Sequence, residues 1–206
     1  MIILSHRGYW LSPQEKNTRA AFERSFGFGF GTETDVRDAG GRLVISHDPP
    51  TGGEMSLEEF LALLPDPELP LAMNVKADGL AKPLLAAMQA AGHRHWFAFD
   101  MSIPDTIMQL RAGVPVYTRL SDHEPEALLL DQAQGIWLDS FGPEWWDRQT
   151  VEHLLATGKR VCVVSSELHG RDTTAAWQVL RPLAGHPNLM LCTDVPEKAQ
   201  AYFKEA

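Results

Sequence analysis

Short runs of β-branched, aromatic and aliphatic residues recur along this chain at 2–6, 32–37, 42–46, 71–76, 96–101, 115–119, 135–139, 160–165 and 189–193. Between most of them lie stretches with helical spacing or composition, in which apolar residues return every three or four positions. These predict helices over 18–26, 56–64, 80–91, 104–112, 145–157, 173–183 and 196–204, with 124–132 as a weaker eighth. Ser56-Leu57-Glu58-Glu59 has the form of a capping box, which satisfies two helix-end N–H groups at once. Gly92, Gly113, Gly158 and Gly185 stand where helices should end, and a strand run follows each within a few residues.

Ala39-Gly40-Gly41 reads as a tight turn that makes 42–46 a hairpin extension of the second strand. Eight principal strands remain, each ahead of a helical segment. Eight βα units predict a closed (β/α)8 barrel of TIM type, in the α/β class. At about 26 residues per unit the connections must be short. No linker or shift in composition interrupts the pattern, so residues 1–206 are expected to form a single compact domain.

Composition narrows the functional classes. With 27 acidic against 18 basic residues and a formal net charge of −9, the chain has no general attraction for nucleic acid or an anionic membrane. An anionic ligand would need positive charge concentrated in its own pocket. Cys162 and Cys192 sit in apolar runs and read as reduced core thiols. Only three apolar residues follow Met1 before polar chemistry begins, and no later run approaches the roughly 20 needed to span a bilayer. The expectation is a cytoplasmic protein without a membrane anchor; nothing in the sequence sets its oligomeric state.

In a barrel of this kind the reactive groups gather at the C-terminal ends of the strands. The first strand ends in Ser5-His6-Arg7-Gly8. The second carries Glu33 and Asp35, which share one face because strand side chains alternate. The hairpin ends in His47-Asp48, and the third principal strand ends in Asn74-Val75-Lys76. Two neighbouring carboxylates raise each other's pKa, a cost relieved by a divalent cation such as Mg²⁺ or Ca²⁺ or by basic groups such as Arg7, Arg37 and Lys76. Two histidines flanking the pair suit proton transfer, one accepting and one donating. Asp48 reads chiefly as the start of the Asp-Pro-Pro turn.

Taken together and in order, His6-Arg7-Gly8, Asn17-Thr18 with Ala21-Phe22, Glu33-Thr34-Asp35-Val36, Gly41 through Val44 leading to His47-Asp48, and Asn74-Val75-Lys76 resemble the glycerophosphodiester phosphodiesterase family of the phosphatidylinositol-phospholipase-C-like superfamily. The detailed resemblance covers roughly the first 76 residues. It implies hydrolysis of a small phosphodiester and a place in lipid metabolism. It also implies acid–base roles for His6 and His47, phosphate binding by Arg7 and Lys76, and a divalent cation on Glu33 and Asp35. Asn74 stands where that family has a carboxylate and retains one carbonyl oxygen for a cation. Lys16 also replaces a carboxylate, with Glu15 one place early.

Three versions stay open on these residues: a metal-assisted enzyme, a metal-independent one in which Lys16 supplies positive charge, and an inactive phosphate-ligand-binding barrel. A metal-dependent amidohydrolase fits less well, because no His-x-His pair ends the first strand. In the second half, Glu167, His169 and Arg171 lie in a polar run after the seventh strand, where Glu167 would replace a missing carboxylate and His169 or Arg171 reach phosphate. Asp139 and Asp194 read more simply as helix caps. Trp10, Phe99 and Trp137 are candidates for an apolar wall, and the Gly-His-Arg-His run at 92–95 reads as a surface loop.

Overall fold

The structure, a computed structural model, describes residues 1–204. Its elements run β1 (Ile2–His6), α1 (Arg19–Gly27), β2 (Gly31–Ala39), β3 (Arg42–Ile45), α2 (Leu57–Leu61), β4 (Leu71–Val75), α3 (Ala81–Ala90), β5 (Trp96–Phe99), α4 (Ile103–Ala112), β6 (Tyr117–Leu120), β7 (Gly135–Leu138), α5 (Arg148–Ala156), β8 (Arg160–Val164), α6 (Thr174–Leu180), β9 (Leu189–Thr193) and α7 (Pro196–Lys204). The strand order is β5-β4-β2-β1-β9-β8-β7-β6, with β3 paired to β2 alone. A bridge between Ala98 and Val116 joins β5 to the residue before β6. Eight parallel strands thus form a nearly closed (β/α)8 barrel. Residues 6–116 and residues 1–5 with 117–206 pack as two units, described in turn.

In the unit of residues 6–116, β2 is flanked by parallel β4 and antiparallel β3. The hairpin register sets Ala39 opposite Arg42, and Gly40 and Gly41 both take positive φ, as a two-residue turn of this hand requires. Phe22, Phe26, Leu57, Phe60, Met73, Leu84 and Met88 fill the core. Ser56 caps α2 as its sequence predicts: its hydroxyl accepts from Glu59 N at 3.1 Å, and its own N–H donates to the Glu59 carboxylate at 2.8 Å.

Gly8 is held for two reasons. Its φ is +82°, and a Cβ there would lie 2.8 Å from the Cβ of Ala21. Gly8→Ala should therefore cost about 2–4 kcal/mol from left-handed strain and overpacking, read as a lower urea midpoint with unchanged m-value. A midpoint equal to wild type would show that the β1–α1 connection tolerates the methyl.

In the unit of residues 1–5 and 117–206, β8 and β9 read Arg-Val-Cys-Val-Val and Leu-Met-Leu-Cys-Thr. All of β9 is buried, as is β8 beyond Arg160, the pattern of parallel strands covered on both faces. Cys162 and Cys192 are buried within them.

The weak eighth helix at 124–132 is absent, so β6 leads into β7 through turns. Local bonds secure the alternative: Ser121 Oγ accepts from His123 N and Glu124 N, Thr118 Oγ1 donates to Leu128 O, and Leu129 adopts a left-handed φ of 60°. The helix predicted from 145 begins at Arg148, because Asp147 caps it by accepting from Thr150 N at 2.8 Å.

Candidate active site

Strand β2 buries Thr32, Glu33, Thr34 and Asp35 in succession, four polar residues where packing alone would favour apolar ones. Asp35 pairs in register with Asn74 on β4, so the two side chains emerge side by side. Asp35 Oδ2 lies 3.0 Å from Arg7 Nε and accepts from Asn17 Nδ2 at 2.9 Å, while Oδ1 lies 3.4 Å from Lys76 Nζ. One buried carboxylate therefore gathers two cations and an amide. Because Arg7 turns its Nε toward Asp35, the rest of the guanidinium fork remains for a ligand.

Glu33 is also buried. Its Oε2 accepts from Arg7 N at 3.2 Å and lies 3.8 Å from His6 Nε2. Burial, then the charge of Asp35, push its pKa up to about 7, against the opposing pull of His6, Arg7 and Lys76.

The loops that present these groups are held in left-handed backbone. Arg7 has φ +58° and donates its N–H to Glu33 O at 2.9 Å. Asn17 has φ +59°, and Thr34 Oγ1 donates to its Oδ1 at 2.9 Å. Such conformations away from glycine persist where surrounding bonds over-determine them, and they cluster at functional sites. Asp100, at the end of β5 with φ +72°, lies 3.8 Å from Lys76 Nζ. Sequence reading passed over Asp100, although a lone aspartate after the apolar run Trp96–Phe99 is the signal that marks it.

A cleft of about 520 Å³ opens beside these groups, lined by Arg7, Lys16, Asn17, Arg19, His47 and Asp48 among others. His47 is partly exposed, and its Nδ1 lies 3.0 Å from Asp48 Oδ1. Asp48 thus touches the ring as well as shaping the turn, where Ser46 Oγ donates to its carbonyl. With the proton on Nδ1, Nε2 is the basic nitrogen. Lys16 lines the cleft with its ammonium 4.5 Å above the Trp10 ring. Glu15 does not take the vacant carboxylate place; it binds Arg24 at 2.8 Å and accepts from Leu11 N.

The divalent cation implied by the resemblance can be tested on these donors. Mg²⁺ and Ca²⁺ seek six or more oxygens with net negative charge. Both oxygens of Asp35 already face cations or an N–H donor, Glu33 holds its proton up to near neutrality, and Asn74 adds a neutral carbonyl. Among the described residues no three His, Cys, Asp or Glu side chains cluster as a metal site. As packed, the residues present do not fit the cation. Two observations run the other way: Asn74 Oδ1 and Asp35 Oδ1 are both buried without a hydrogen-bond partner, the latter with only the Lys76 ammonium 3.4 Å away.

In the other unit, the polar run after β8 is held by its own neighbours. The Glu167 carboxylate accepts from Ser165 Oγ, Thr193 Oγ1 and Asp194 N. His169 Nε2 lies 2.8 Å from Asp139 Oδ1, so Asp139 is a histidine partner and not a helix cap. Arg171 donates to Ser140 O at 2.8 Å and Glu144 Oε1 at 3.1 Å.

One lesser expectation is corrected. Phe99 and Trp137 are buried in their own units, while Trp10 serves as the platform for Lys16. The 92–95 run is a surface turn before β5, with Gly92 and Arg94 exposed; only His93 packs inward, with its pKa lowered by desolvation, and His95 Nδ1 meets Glu68 O at 3.1 Å.

The fold is similar to that of phosphodiesterase barrels of known structure. An Agrobacterium tumefaciens glycerophosphodiester phosphodiesterase matches at a TM-score of 0.73 and 19% identity, over 99% of each chain. An Oleispira antarctica phosphodiesterase in complex with the product sn-glycerol-3-phosphate matches at 0.69 and 19%, over 99% of this chain and 97% of that one. A Parabacteroides distasonis glycerophosphoryl diester phosphodiesterase matches at 0.71 and 11%, over 99% and 86%. No family model and no curated protein matches the sequence. Among the described residues, no helix is long and apolar enough to cross a membrane.

Proposed function

We propose that this chain hydrolyses a small phosphodiester of the glycerophosphodiester kind. The observation that carries the reading is the convergence of Arg7 and Lys76 on buried Asp35, with His6 beside Glu33, at the C-terminal ends of β1, β2 and β4. Arg7, Lys16 and Arg19 line the cleft beside them, so a chain of net charge −9 concentrates positive charge there. The fold of phosphodiesterases supports this reading, and the glycerol phosphate held by the Oleispira enzyme is of a size that a cleft of about 520 Å³ admits.

Arg7 and Lys76 neutralise charge building on the phosphoryl oxygens. One of His6 and His47 takes the proton of the attacking hydroxyl, and the other returns a proton to the departing alkoxide. The P–O bond to the leaving alcohol breaks as a bond to the neighbouring hydroxyl of the other alcohol forms, and water then opens the cyclic phosphate to complete the hydrolysis. Positive charge at the reacting phosphate comes from these side chains, with no step routed through a metal.

A second reading, favoured by the unpartnered Asn74 Oδ1, places a divalent cation among Glu33, Asp35 and Asn74. Turnover of glycerophosphocholine and bis(p-nitrophenyl) phosphate, measured before and after treatment with chelator, decides between them. The first reading expects rates within about twofold of each other. Loss that Mg²⁺ or Ca²⁺ restores would establish the second. Ligand binding without turnover in any condition would make the chain a phosphate-ligand-binding barrel.

A further inference from the structure

We propose that the diester taken by this cleft carries a further negative charge on one of its alcohols, and that Lys16 selects it; the proposal rests on the phosphodiesterase reading above. Most charges in the cleft are already answered. Arg7 is matched by Asp35. Arg19 faces Glu23 at 3.6 Å across one helical turn, both side chains more than half exposed. Glu54, at the rim, is engaged by Thr51 N and Gly52 N, and Asp48 stands against His47.

Lys16 differs. Among the described residues no carboxylate lies within ion-pair distance of it, and its neighbour Glu15, the nearest carboxylate in sequence, is held by Arg24 and Leu11 N. The ammonium rests on the face of Trp10, and that ring is fixed because its indole N–H donates to His6 O at 3.1 Å. The backbone holds the arrangement: Lys16 N closes a turn onto Pro13 O, and the next residue, Asn17, anchors the loop to Asp35.

A positive charge is thus placed in the cleft beside the phosphate-binding arginine with nothing opposite it. An anionic alcohol supplies the missing charge. A quaternary ammonium is rejected twice, by like charge and because the aromatic face that would receive it already carries Lys16.

The test compares kcat/KM at low ionic strength for glycerophosphocholine, glycerophosphoglycerol and the terminal phosphomonoester of glycerophosphoglycerol. Wild type should prefer the anionic substrate over the neutral one, and the neutral one over the cationic, by about five- to tenfold per step. Lys16→Met, which keeps a side chain to pack on Trp10, should compress the series to within about threefold, and Lys16→Glu should reverse it. If Lys16→Met slows all three equally, Lys16 serves the reacting phosphate and the proposal fails.

If wild type turns over no diester, the phosphodiesterase reading falls, and the charge preference is still decided by binding. 2,3-Bisphosphoglycerate should bind at least about tenfold tighter than sn-glycerol 3-phosphate, with the advantage lost in Lys16→Met. Equal affinities, or an advantage that survives the substitution, would overturn it.

Discussion

Replacing His6 by alanine is expected to lower kcat/KM for glycerophosphoglycerol by about a hundred- to ten-thousandfold, the range for losing a positioned proton-transfer group. His47→Ala should cost a similar factor. The double variant should be little worse than either single one, because two groups that act in one proton relay are not additive. The geometry supports His6 for this role. It ends β1 beside a strained Arg7, its ring is mostly shielded, and its Nε2 faces the Glu33 carboxyl at 3.8 Å. The pH profile separates a chemical role from a packing one: loss of an imidazole should remove one limb of the profile of kcat/KM, whereas a packing defect lowers the curve without changing its shape. Turnover that persists in His6→Ala would remove His6 from the reaction.

The second large effect concerns stability. Glu33 has its folded pKa raised to about 7 against an ordinary 4.5, first by burial and then by Asp35. A carboxyl raised in this way binds its proton more tightly in the folded chain. Its favourable contribution is complete below about pH 4.5 and is lost as pH rises through about 7. The difference between those two values corresponds to about 3 kcal/mol.

Glu33→Gln keeps the shape and removes the titration. By urea denaturation the variant should match wild type near pH 4.5 and exceed it by about 3 kcal/mol near pH 8, where wild-type Glu33 is ionised. Subtracting the two curves cancels the carboxylates that titrate elsewhere. A gap that does not change with pH would show that Glu33 ionises as readily folded as unfolded. The pair of proteins also reports on the cation: Mg²⁺ bound at Glu33 would stabilise wild type at pH 8 and leave Glu33→Gln unmoved.

Much of this site is legible in the sequence because strands impose a period of two. Glu33 and Asp35 share a face for that reason, and Asn74 joins them once β4 pairs beside β2. The capping box at Ser56 and the Gly40-Gly41 turn are equally local, decided by neighbours two or three residues apart. Where local chemistry competes, the reading failed. The spacing over 124–132 suggested a helix, but the Ser121 bonds and the left-handed Leu129 hold turns there.

The alternation of apolar runs by itself determined the barrel, and the order of the polar motifs at their ends singled out His6, Arg7, Glu33, Asp35, His47 and Lys76 as the candidate set. Each depends on backbone periodicity and on which strand a residue ends. Tertiary structure alone decided where the charges point. It turned Glu15 toward Arg24, laid Lys16 on Trp10, brought Arg7 and Lys76 onto Asp35, and gave Asp100 to Lys76. Long side chains can serve either sign of site, and their direction depends on partners distant in sequence, so no local pattern encodes it.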